Sequence, residues 1–299
     1  MADLDGLDVK LNRPEKKKES KGYVPKTNAP MEWGMKNRLS RVIKPATGRT
    51  VMLAVDHGYF QGVAVGLEDL RETLEPLLPY ADALMPTRGG LRTCVSPDWD
   101  VPVVLRASSG NSLLGELSDE DIAVSIEDAI RLNVAAVAIS IYVGGPNQHK
   151  TLMALSRMVD KATRYGIPVL AVTAVGKDLG KGAKYLSMAS RIAAELGATF
   201  VKTYYCEGFE RVVDSCPVPI VMAGGKRIPE LDALKLTSNA IKRGAAGVDM
   251  GRNIFQADDP AAMIQSISAV VHEGYSPQKA MNMYEELKAA GRRKAKKRK

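Results

Sequence analysis

The chain has 299 residues, 45% of them apolar and 25% charged, which is an ordinary globular make-up and too long for a minimal domain. No apolar stretch approaches the ~20 residues that a membrane span needs, and the polar start MADLDGLDVKLNRPEKKKES lacks the apolar core of a secretory signal, so a cytoplasmic protein is expected. The net charge of +8 suggests a polyanion partner until it is located: seven basic residues stand in the last nine, GRRKAKKRK, and the body is nearly neutral.

Residues 1–30 are rich in Lys, Glu, Pro and Asn and read as a flexible arm. Met31 to Val42, MEWGMKNRLSRV, has apolar residues at helical intervals and predicts a helix ahead of the first strand, placed to plug the N-terminal mouth of a barrel. From Thr50 a rhythm begins. Eight short apolar runs recur: VMLAVDHG, ADALMPTRG, VPVVLRASSG, AAVAISIYVG, IPVLAVTAVG, ATFVKTYY, VPIVMAGG and AGVDMGRN. Strands buried on both faces read as near-continuous apolar runs. Amphipathic stretches such as LEDLRETLEPLL, DEDIAVSIEDAIRLN, KTLMALSRMVDKATRYG and YLSMASRIAAELG separate most of them, which implies parallel βαβ units. Gly166 and Gly197 stand where helices need a left-handed cap. The link between the second and third strands is short and carries Pro97, so a helix is not expected there. The expected fold is α/β, a (β/α)₈ TIM barrel over residues 31–287, with an N-terminal extension and a basic C-terminal tail over 288–299. The tail reads as solvated and disordered, and without an aromatic or RNA-module motif beside it nucleic acid is not expected as a partner.

In such barrels the active site lies at the C-terminal ends of the strands. Polar residues there are Asp56 and His57, Thr87 and Arg88, Arg106 and Ser108, Tyr142, Lys177, Lys202 with Tyr204, Gly224-Gly225-Lys226, and Gly251-Arg252-Asn253. Lys202 lies inside the apolar strand ATFVKTYY, where a charge is costly unless paired or neutral. Desolvation and nearby cations would favour the neutral amine, which attacks a carbonyl to form a Schiff base; a bland alternative is an ion pair with Asp56. MAGGK and GVDMGRNIF end the seventh and eighth strands, the usual phosphate site of this fold. Their glycines free backbone N–H groups for phosphate oxygens and Arg252 adds a charge-assisted contact. Asp56 faces the lysine across the mouth and is the candidate proton carrier. His57, Arg106 and Tyr142 are candidate substrate contacts.

No metal is expected: His57, His149 and His272 have no paired ligand spacing. Cys94, Cys206 and Cys216 read as reduced thiols, with Cys206 only a minor candidate nucleophile.

The strings AVDHGYFQG, FVKTYY, CPVPIVMAGGK and GVDMGRNIFQ resemble the class I aldolase family that includes archaeal-type fructose-bisphosphate aldolases and deoxyribose-phosphate aldolase relatives. The resemblance runs from about Trp33 to the 270s. WGMKNRLSRV, TVMLAVDHGYFQG, VPVVLRASSGNS, AVTAVGKD and RIAAELGA draw it toward a thiolase branch. By that resemblance Lys202 is the Schiff-base lysine, and Gly224, Gly225, Gly251 and Arg252 cradle phosphate. The family's aldolases carry a tyrosine acid near the end of strand five, in a Tyr-Pro-Arg-Gly-like stretch. Here Ala174-Val175-Gly176-Lys177 stands in that place, which puts aldol chemistry in doubt and favours thiolysis. The resemblance thus implies a phosphorylated ketone substrate, coenzyme A as co-substrate with no bound cofactor, and a homo-oligomer in the form of a decameric ring. Two alternatives stay open: a Schiff-base aldolase on a sugar phosphate such as fructose 1,6-bisphosphate, and a binding protein whose barrel sequesters a sugar phosphate.

Overall fold

A computed structural model describes residues 31–174 and 182–298, with side chains through residue 293. The expectations for residues 1–30 and for Val175, Gly176 and Lys177 lie outside the described residues. Eight strands form one parallel sheet: β1 Thr50–Ala54, β2 Ala83–Met85, β3 Val104–Arg106, β4 Ala136–Ile141, β5 Val169–Thr173, β6 Phe200–Tyr204, β7 Ile220–Ala223 and β8 Gly247–Met250. Their order is β2-β1-β8-β7-β6-β5-β4-β3. A parallel bridge from Leu84 to Val103 brings the two ends together, so the sheet closes into a barrel.

Period-two alternation divides each strand between two cores. Outward residues such as Val51, Leu53, Leu105, Val137, Val201 and Val248 pack under the helices. Inward residues include Met52, Met85, Val104, Leu170 and Phe200. The helix α1, Trp33–Val42, sets Leu39 and Val42, with Ile43 just beyond it, fully buried into this inner cluster, so it closes the N-terminal mouth as the pattern predicts. The same inward parity then carries Arg106 above Val104, Ser140 above Ala138, and Lys202 above Phe200. The barrel is therefore apolar at its N-terminal half and polar at its C-terminal half.

The outer helices are α2 Leu70–Leu74, α3 Arg88–Cys94, α4 Ile126–Arg131, α5 Gln148–Arg164, α6 Ala183–Glu195, α7 Phe209–Ser215, α8 Glu230–Lys242, α9 Pro260–His272 and α10 Pro277–Arg298. In α5 the buried positions Thr151, Ala154, Leu155, Met158 and Ala162 keep helical spacing. Gly166 and Gly197, after α5 and α6, have φ of 61° and 93°, the left-handed cap.

Three expectations are corrected. The β2–β3 link does carry a helix, α3: Thr87 caps it by accepting from the Gly90 N–H, and Pro97 falls beyond its end. The stretch DEDIAVSIEDAIRLN is helical only at 126–131. Its Asp121–Ile122 instead pairs antiparallel with Ser108–Ser109, because the chain first rises over the barrel mouth as a small hairpin. The basic tail does not begin as a separate segment at 288: α10 runs unbroken to Arg298, held on the barrel by the buried Ala280 and Tyr284.

Candidate active site

Every residue assigned to the site from sequence lines one cavity of about 220 Å³ at the C-terminal mouth: Asp56, His57, Arg106, Tyr142, Lys202, Gly224, Gly225, Gly251 and Arg252. At its floor Lys202 Nζ lies 2.8 Å from Asp249 Oδ2, with the two side chains 12% and 0% exposed. The other carboxylate oxygen of Asp249 is buried without a hydrogen-bond partner. Burial pushes this carboxyl up, against the downward pull of Lys202.

Asp56 is not the partner of Lys202, which corrects the bland reading of that lysine. It takes Arg106 instead, whose Nε and Nη2 both lie 2.8 Å from Asp56 Oδ2. Burial tends to raise the Asp56 carboxyl, but Arg106, Lys202 and His57 together hold it below the ordinary carboxylate range. Asp56 is thus ionised at rest, close enough to Lys202 for the two charges to interact. Arg106 goes on to donate to Ser140 Oγ at 2.7 Å and lies 5.1 Å from the Tyr59 ring centroid. His57 stands edge-on to Phe255 with ring centroids 5.4 Å apart. Burial first, then the cations Lys202, Arg252 and Arg106, pushes its imidazole down to about 4 against Asp56, so it is neutral at physiological pH.

The glycine loops make a cradle. A Cβ on Gly251 would lie 2.5 Å from both the Ala54 carbonyl and His57, and one on Gly224 would lie 2.8 Å from Met250. Asn253 ties the two loops together, donating to the Gly224 carbonyl at 2.7 Å and accepting from the Ile228 N–H at 2.9 Å. Arg252 opens the single turn Arg252–Phe255, and its Nε is buried without a partner. These features fit an oxyanion: a donor left unsatisfied, beside backbone that has no side chain in the way.

Other strand-end residues go elsewhere. Arg88 turns outward to Asp128 at 3.1 Å, and Lys226 is exposed. Cys206 does not line the cavity, and burial followed by Glu210 pushes its thiol up, away from thiolate. Asn253 and Ser108 brace the walls, and Ala174 lines the cavity beside Thr173.

Two residues escaped the sequence reading. Asp249 carried a signal, a charge inside the apolar run AGVDMG. Glu120 carried none, because the acid-rich LSDED looks like a solvated loop. Yet Glu120 is fully buried, and its carboxylate accepts from Tyr59 Oη at 2.7 Å, Ser108 Oγ at 2.7 Å, Asn111 Nδ2 at 2.9 Å and Tyr142 Oη at 3.1 Å. Burial pushes both tyrosine hydroxyls well above their ordinary range, so they stay protonated.

Residues 50–257 match the DeoC/LacD family aldolase profile. A 3-hydroxy-5-phosphonooxypentane-2,4-dione thiolase of an Enterobacter species (strain 638) is 52% identical over 293 residues, covering 96% of this chain and 98% of that one. The protein of the same description in Escherichia coli K12 is 50% identical over 289 residues, with 95% and 98% covered. Among solved structures, an archaeal fructose 1,6-bisphosphate aldolase superposes with a TM-score of 0.72 at 26% identity, covering 80% of this chain and all of that one. Another structure of an archaeal enzyme of that kind, its catalytic lysine bound to a carbinolamine intermediate, gives a TM-score of 0.71 at 26% identity, with 80% and 99% covered. The chain belongs to the DeoC/LacD aldolase family and is an enzyme of the class I aldolase type.

Proposed function

We propose that the enzyme transfers the acetyl group of 3-hydroxy-5-phosphonooxypentane-2,4-dione to coenzyme A, giving dihydroxyacetone phosphate and acetyl-CoA. The observation that carries this reading is a buried lysine in the cavity that the glycine loops also line, in a chain half identical to thiolases of that name. The phosphate docks on Gly224, Gly225, Gly251 and Arg252. Lys202 condenses with the carbonyl nearer the phosphate, and the protonated imine becomes an electron sink. The thiolate of coenzyme A adds to the distal acetyl carbonyl. Collapse of that adduct breaks the carbon–carbon bond, and the electron pair passes into the imine as an enamine. Protonation and hydrolysis free dihydroxyacetone phosphate.

Asp56, an anion held by Arg106, accepts and returns protons as the imine forms and is hydrolysed. Neutral His57, with Arg106 and Tyr142, positions the substrate. Ala174 is a small residue where the family's aldolases carry a tyrosine, and the thiol arm of coenzyme A enters past it. No helix among the described residues is long and apolar enough to cross a membrane. A cytoplasmic homo-oligomer, a decameric ring by resemblance, acting in autoinducer-2 catabolism, completes the proposal.

The test is product release with and without coenzyme A. Dihydroxyacetone phosphate and acetyl-CoA should appear in equal amounts and only with coenzyme A. Dihydroxyacetone phosphate released from fructose 1,6-bisphosphate without coenzyme A would make the enzyme an aldolase instead.

A further inference from the structure

Thiolysis on Lys202 leaves one proton without a carrier. A thiol must lose its hydrogen to become the nucleophile, and Asp56 is tied to the imine side by Arg106. Glu120 is a buried carboxylate that the imine chemistry does not use. It does not itself line the cavity, but two of its four donors, Tyr59 and Tyr142, do. Each tyrosine spends its hydrogen on Glu120, so what its oxygen offers to the cavity is a lone pair; the Tyr142 oxygen also takes a long contact of 3.4 Å from Asn111 Nδ2. Such a hydroxyl takes a proton from one side while passing its own to the other.

The two tyrosines are not equivalent. Tyr142 follows β4 directly, and β4 pairs with β5 through Ile141 and Thr173. The Ala174 N–H donates to the Ile141 carbonyl at 2.9 Å, so Tyr142 and Ala174 are neighbours at the rim. On the proposed entry past Ala174, Tyr142 therefore stands beside the thiol arm. Tyr59 comes from the turn after β1 and lies against Arg106.

We propose that Glu120 is the proton acceptor for the attacking thiol and that Tyr142 relays the proton to it. The proposal rests on the thiolase reading. The thiol hydrogen passes as a proton to Tyr142 Oη as the tyrosine's own hydrogen passes to Glu120. The sulfur electron pair forms the carbon–sulfur bond, and the carbonyl π pair moves onto oxygen. When that oxygen re-forms its double bond, the carbon–carbon bond breaks and its pair enters the imine as the enamine. The proton stored on Glu120 returns through Tyr142 to the enamine carbon. Thiol hydrogen and new C–H hydrogen thus balance, and no co-reactant is needed.

Glu120 acts through Tyr142 and is a positioning and storage group. The charged and titratable groups facing it are Tyr59, Tyr142 and Arg106, with Ser108 and Asn111 as neutral donors. Its loop neighbours Asp119 and Asp121 turn away to Lys150 and Arg157.

The experiment compares the full chain with Glu120→Gln and Tyr142→Phe by two readouts. One is borohydride trapping of dihydroxyacetone phosphate on Lys202. The other is acetyl transfer to coenzyme A as a function of pH. In both variants acetyl transfer at neutral pH should fall by about 10²-fold or more beyond any change in trapping. The deficit should shrink as pH rises toward the range in which the thiol of coenzyme A ionises unaided. A deficit independent of pH, or trapping lost in step with turnover, would overturn the relay and make Glu120 a structural brace. If Glu120→Gln fails to fold, Tyr142→Phe decides, since it removes one hydroxyl only; a wild-type pH profile there would overturn the relay. Absence of trapping in the unaltered chain would instead overturn the imine reading on which the relay rests.

Discussion

A charged side chain inside a barrel strand has to be paired, and at Lys202 the partner is Asp249, 2.8 Å away. The lysine was legible in the sequence because it interrupts an apolar run. Asp249 interrupts another, AGVDMG, and the same rule applied to strand eight would have found it. Glu120 was not legible: an acid among other acids shows nothing of its burial until the hairpin folds it over the mouth. His57 yields a prediction at this scale. Burial holds its imidazole down to about 4, below the ordinary ~6.5 of the unfolded chain. As pH falls from 6.5 the unfolded chain takes the proton first, so acid favours unfolding, and the loss levels off near pH 4. Up to about 3 kcal/mol is at stake over that window. In His57→Gln the stability measured by urea titration should be flatter between pH 6.5 and 4 by that amount. An unchanged acid limb would mean that His57 is solvated in the folded state.

At the scale of elements, the doubly buried strands were the easiest part to read, because both faces of each need apolar residues. The short α3 was hidden by Pro97, which in fact lies past its end. The hairpin was hidden because two paired residues per strand leave no periodicity to detect. The plug helix α1 was legible, and its packing supports a second prediction. Leu39 is fully buried in the inner barrel cluster. Leu39→Ala should cost about 2–5 kcal/mol in urea titration, with Lys202 still trapped by borohydride. A cost well under 1 kcal/mol would show that α1 lies on the barrel without stoppering it.

At the scale of the whole molecule, the positive charge and the fold separate. The apolar anchors of α10, Ala280 and Tyr284, precede the basic run, and Lys288 reaches Asp258 at 3.3 Å. Deleting residues 291–299 should therefore leave the thermal midpoint and acetyl transfer unchanged. Deleting from Pro277 onward should lower the midpoint sharply, because it strips a helix that covers α8 and α9. A large loss from the shorter deletion would place a working surface in the basic run.

The central claim is that Lys202 forms an imine with a phosphorylated ketone. It is tested most directly by borohydride reduction of the enzyme with dihydroxyacetone phosphate, followed by peptide mass mapping. A reduced adduct is expected on the peptide bearing Lys202, and none in Lys202→Arg. An active preparation in which Lys202 remains unmodified, or an adduct on another lysine, would contradict it.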